Sequence, residues 1–146
     1  MKRLFILLAL VCAPMLANAQ LSFTSPTPEL KVEKIGSVRL GSISVKHDNF
    51  GYYLAGRTEG YGEIIIMILG EDKLHATWTM KDLKKLYNLE DGQSRTFINA
   101  KMYEYRATKA GNNRIRIRRR GDRGFMTLTR NECDRLAAKL AAYNPN

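Results

Sequence analysis

The chain has 146 residues, with 24 lysines and arginines against 14 acidic residues, a formal charge of +10 and 45% hydrophobic residues. That composition excludes a collagen-like repeat, a disordered low-hydrophobicity chain and a multi-pass membrane protein.

Residues 1–19 read as an export signal. Met1-Lys2-Arg3 is a short basic start, and Leu4 to Ala13 is an apolar run too short to span a bilayer comfortably. Ala17-Asn18-Ala19 is an A-x-A processing site, which places cleavage between Ala19 and Gln20. A lipid anchor on Cys12 fits poorly, because bulky Leu10 and Val11 precede it where small residues are expected. The expected product is a secreted or periplasmic soluble protein without a transmembrane segment. Its one cysteine, Cys133, forms no internal disulfide and reads as a buried apolar position.

Residues 20–35 form a flexible N-terminal segment or an edge strand. Ser, Thr and Pro dominate up to Glu29, and Leu30 and Val32 then alternate with Lys31 and Glu33.

Residues 36–92 read as a first ββββα unit. Val38 and Leu40 share one parity, Ile43 and Val45 the other. A bulge at Gly41-Ser42 would keep all four on one face of a single strand. Phe50 to Arg57 is the second strand. Ile64 to Leu69 is an uninterrupted apolar strand expected to be buried on both faces. Leu74–Trp78 alternates and reads as the fourth strand. Thr79 then caps a helix carrying Met80, Leu83, Leu86 and Tyr87, with Asp82 completing a capping-box variant.

Residues 93–146 repeat the order. Strands are expected around Arg95–Asn99, Met102–Thr108, Arg114–Arg120 and Phe125–Leu128. Thr129 and Glu132 make a capping box, and Cys133, Leu136, Ala137, Leu140 and Ala141 form one helical stripe. An ungapped offset of fifty residues aligns the halves, matching Ile65 with Ile115, Asp72 with Asp122 and Thr79 with Thr129. The fold class is therefore α+β, two related ββββα units in one domain.

The most informative segment is the arginine strand. Arg114, Arg116, Arg118 and Arg120 alternate with Ile115 and Ile117, so period two puts arginines on one face and isoleucines on the other. A three-residue turn, Gly111–Asn113, sets Ala107 opposite Ile117 and Tyr105 opposite Arg119. Tyr103, Tyr105 and Ala107 then join the isoleucines in the core. An even loop would send Glu104 and Arg106 inward, which makes a poor core. In the favoured register Arg106 faces Arg118 and Glu104 faces Arg120.

Two like charges directly opposite are unfavourable unless an anion bridges them. Guanidinium groups suit phosphate, sulfate or carboxylate. Arg106, Arg114, Arg116, Arg118 and Arg120 are therefore the candidate anion-binding residues. The ligand class is an anionic small group, a glycan, a lipid headgroup or an acidic protein surface. The plainer alternative is a solvated charged face that discourages edge pairing, neutralised in part by Glu29 or Glu33.

A second surface, Tyr52, Leu54, Ile64, Ile66 and Ile68, is expected to be apolar. It packs on a helix or serves as a protein interface, including a homodimer.

Enzyme chemistry finds no footing. His47 and His75 are the only histidines. No H-x-x-H, C-x-x-C, H-E-x-x-H or G-x-S-x-G occurs, so neither a metal site nor a cofactor is expected.

The doubled ββββα order, over roughly Gly36 to Tyr143, resembles the Pur-type and whirly-type single-stranded nucleic-acid-binding folds. The resemblance implies a sheet face that stacks bases on aromatic rings. It carries over no binding residue. With Tyr103 and Tyr105 turned inward, the arginine face would lack such rings, so nucleic acid is the less favoured ligand.

Overall fold

A computed structural model describes residues 31–98 and 102–145. Residues 1–19, read above as an export signal, lie outside the described residues, as do Glu29 and Asn99. The first unit comprises β1 (Glu33–Val38), β2 (Ile43–Asp48), β3 (Gly51–Arg57), β4 (Ile64–Gly70) and helix α1 (Lys73–Lys85). The second comprises β5 (Ser94–Ile98), β6 (Glu104–Ala110), β7 (Arg114–Arg119), β8 (Met126–Thr129) and helix α2 (Arg130–Ala142). Each unit is an antiparallel sheet with its strands in sequence order, followed by a helix. The expected α+β architecture of two ββββα units is the one observed.

The strands of the first unit are placed differently from expectation. The segment expected to be one bulged strand folds into the β1–β2 hairpin, with Val38 paired to Ile43. Its turn takes left-handed conformations at Arg39, Leu40 and Gly41, whose φ values are 50°, 53° and 91°. Reversing the chain there puts Val38, Ile43 and Val45 on one buried face without a bulge at Gly41.

Leu74–Trp78 is not a strand but the first turns of α1. Asp72 is the N-cap: its Oδ1 accepts the His75 amide at 2.8 Å. Ala76, Met80 and Leu83 form the buried stripe of α1, continued by Leu86 and Tyr87 in a 3-10 turn. Five residues of alternation cannot separate a strand from the start of a helix. The longer stripe decides. Thr79 lies inside the helix and donates its hydroxyl to the Leu69 carbonyl at 2.6 Å, while Asp82 pairs with Lys85 at 2.7 Å.

These placements also change the internal correspondence. By strand order β3 matches β7 and β4 matches β8, and the capping residues are Asp72 and Thr129. The fifty-residue offset instead lays β4 on β7, one strand out of step.

The two units share one core. It joins Val45, Leu54 and Met67 of the first sheet to Ala107, Ile117 and Met126 of the second, and Leu83 of α1 to Leu136 of α2. Helix α2 does not cover its own sheet alone. It crosses to β1 and β2 of the first, beside α1, which packs on β3 and β4. Gly36 on β1 permits this approach, since a Cβ there would lie 2.3 Å from Lys139 Cδ. Gly56 makes room in the same way for Met126, whose Sδ would lie 2.1 Å from an added Cβ. At the seam the Tyr105 hydroxyl donates to the Ile66 carbonyl at 2.8 Å, and the Tyr87 hydroxyl to the Leu128 carbonyl at 3.0 Å. Arg39 clasps Glu132 of α2 at 2.5 Å. No helix among the described residues is long and apolar enough to cross a membrane.

Candidate functional site

The β6–β7 hairpin has the expected register. Ala107 opposes Ile117, Tyr105 opposes Arg119 and Arg106 opposes Arg118. The turn is Gly111–Asn113, with Asn112 and Asn113 left-handed at φ 60° and 54°, a conformation that asparagine tolerates better than most residues. Ile115 and Ile117 are fully buried, and Arg114, Arg116 and Arg118 are exposed. The alternation is fixed by burial: the isoleucines meet Met126 and Leu128 of β8 across the same inner face.

The outer face of the second sheet is therefore cationic. Row by row, Ser94, Thr108, Arg116 and Thr127 lie side by side, then Thr96, Arg106 and Arg118. Successive arginines on one strand stand roughly 6–7 Å apart. Arg106 donates from Nε to Ser94 Oγ at 3.0 Å. Of the five arginines, Arg120 is engaged by a carboxylate: it pairs with Glu104 at 2.9 Å. Arg106, Arg114, Arg116 and Arg118 have no carboxylate partner among the described residues. Glu33 is bound instead to Lys31 and to the Tyr143 hydroxyl. Arg119, on the opposite parity, is tied to Asp122 at 2.9 Å.

Phe125 is the residue that sequence reasoning missed. Its ring lies on the arginine face, with the Arg116 guanidinium 4.9 Å and the Arg118 guanidinium 6.0 Å from its centre. Its backbone is held from the other unit, where the Glu59 amide donates to the Phe125 carbonyl at 2.9 Å. A usable signal was its parity with Thr127 across Met126. Gly92, Ser94, Arg106, Thr108, Arg116, Arg118 and Phe125 enclose a shallow concavity of about 420 Å³. Thr127, 3% exposed beside Arg116, has an Oγ1 without a hydrogen-bond partner among the described residues. Tyr103 departs from the core placement expected of it: it precedes β6 and is 47% exposed.

The second predicted surface is split by the sheet. Tyr52 and Leu54 point inward and are buried. Ile64 and Ile66 point outward, 66% and 48% exposed, with Ile68 half-buried on the same side. Leu54 pairs with Met67 and Ala55 with Ile66, so the two sets have opposite parity. Nor is β4 buried on both faces. It is the edge of its sheet, and both helices lie on the other side.

The two histidines fall apart. His47 stacks on Tyr52 at 4.3 Å and bonds Tyr143 at 3.1 Å. His75 sits on α1 against Asp72 at 2.7 Å.

Fold and face together define an α+β protein of two ββββα units with one arginine-lined sheet surface. No protein-family profile matches the chain, and neither a curated protein nor a solved structure is significantly similar to it.

Proposed function

We propose that this chain is an exported, non-enzymatic binding protein whose arginine face takes an anionic group of a glycan, lipid headgroup or acidic surface. Export rests on residues 1–19 and cleavage between Ala19 and Gln20. The binding reading rests on one observation above the others. Arg106 and Arg118 are directly opposed, flanked by Arg116, with no carboxylate between them among the described residues.

Folding has brought like charges together where an internal counter-ion would have been inexpensive. Phe125 and Ser94 hold two of the guanidinium groups in place before any ligand arrives, which lowers the ordering cost of binding. The hydroxyl of Thr108, which lines the same concavity, adds a polar partner for oxyanion oxygens.

The test is retention of the folded protein on a heparin resin across a salt gradient. The wild type elutes late and earlier with added salt, because binding releases counterions. Arg116→Ala with Arg118→Ala elutes markedly earlier. Unchanged elution would refute the arginine reading. Single-stranded oligonucleotide, offered in competition, separates the nucleic-acid alternative that the Phe125 ring favours.

A second reading uses the outer face of the first sheet, where Ile64 and Ile66 are exposed. As a protein interface it predicts a concentration-dependent dimer by light scattering, weakened by Ile66→Asp.

A further inference from the structure

A concavity of the molecule lies away from the arginine face, between the two units. It measures about 450 Å³, within the range of small-ligand sites. Its apolar lining includes Phe50 in the turn before β3, Trp78 on α1 and Phe97 and Ile98 on β5. Trp78 and Phe50 are 51% and 61% exposed, unusual for rings of that size. Glu71, Asp72 and Asp82 line the same cleft, and among the described residues no lysine or arginine does. In a chain with 24 basic and 14 acidic residues this segregation is the reverse of the overall charge.

The acidic groups are not equivalent. Asp72 is occupied as the cap of α1 and as the partner of His75, whose ring meets Trp78 edge-on at 5.3 Å and steadies it. Asp82 is shared with Lys85 at 2.7 Å. Glu71 has no ion-pair partner among the described residues. Aromatic faces beside an unpaired carboxylate attract a cation and reject an anion.

We infer that this cleft binds an organic ammonium carried on an apolar body, with Trp78 and Phe50 receiving the body and Glu71, aided by Asp82, the charge. The inference is independent of the arginine face.

Trp78 is the only tryptophan of the chain, so its fluorescence reports on the cleft without a label. Three probes of similar shape are titrated at neutral pH: phenethylamine, 2-phenylethanol and phenylacetate. The amine should give a saturable change in emission and bind about three- to tenfold tighter than the alcohol, with phenylacetate weakest. Glu71→Gln with Asp82→Asn should erase the preference for the amine. The Asp72 cap is left intact, so α1 keeps its start, and circular dichroism verifies the fold. Phe50→Ala should weaken amine and alcohol alike. The Arg116→Ala, Arg118→Ala protein should bind the amine as the wild type does. No saturable response to the amine would overturn the inference. So would equal affinity for amine and alcohol, or a preference that survives loss of both carboxylates.

Discussion

Replacing Arg106 by glutamine tests whether the arginine face is arranged for a ligand at the expense of the fold. The cross-strand partner of Arg106 is Arg118, and Arg116 stands on the neighbouring row. Two unit charges roughly 6–7 Å apart repel by about 0.6 kcal/mol in a water-like dielectric and a few times more in a protein-like one. Cross-strand pairs measured at exposed positions are worth about 0.2–1 kcal/mol, so about 0.5–1 kcal/mol is the working figure.

Glutamine keeps a donor for Ser94, the present partner of Arg106 Nε, and removes the charge. Arg106→Gln should therefore be more stable than the wild type by about 0.5–1 kcal/mol in urea unfolding at low salt. The gain should vanish near 1 M salt, where the Debye length is about 3 Å. The same variant should elute earlier from heparin. Conversely, a heparin fragment should raise the melting temperature of the wild type more than that of the variant. Stability that falls, or a gain insensitive to salt, would mean that the like charges are not in repulsive contact. Retention unchanged by the substitution would refute a role for Arg106 in anion binding.

Three further outcomes follow from the packing of α2. Thr129→Ala removes the hydroxyl that accepts the Glu132 amide at 3.3 Å, and should cost about 1 kcal/mol in denaturant unfolding. Burial works to raise the Glu132 pKa, but the Arg39 guanidinium and the Thr129 amide and hydroxyl outweigh it and hold the carboxyl below 4.5. A depressed folded value means that this stabilisation is complete above 4.5 and is lost as the pH falls through the folded value. Glu132→Gln should accordingly flatten the acid side of the stability–pH curve, measured by thermal melts from pH 6 to pH 3. Burial pushes the Cys133 thiol up to about 12, and no part of it is exposed. It should resist a thiol reagent at pH 8 in the native protein and react at once in denaturant.

Much of the second unit was legible because its signals are local and redundant. Ile115 and Ile117 alternate with arginines, the Gly111–Asn113 turn leaves one sensible register, and Thr129 with Glu132 announces the helix. Each feature constrains the next, so the pairing of Arg106 with Arg118 could be written from residue types alone. The first unit was harder to read. Leu74, Ala76 and Trp78 alternate as a strand would, and Thr79 with Asp82 imitates a helix start. The true cap, Asp72, sits seven residues earlier, about two helical turns, and its stripe through Ala76, Met80 and Leu83 emerges only over a longer window.

Residue order by itself determined the element types of the second unit, the parity of its arginines and the core position of Cys133, because these depend on neighbours a few places away. Tertiary structure decided the rest. It sent α2 across to β1 and β2, left the outer side of β4 uncovered and set Phe125 under two guanidinium groups. It also opened a carboxylate-lined cleft beside Trp78. Those outcomes depend on which surfaces meet when two sheets and two helices bury a common apolar core, and the surfaces that meet are contributed by residues far apart in the chain.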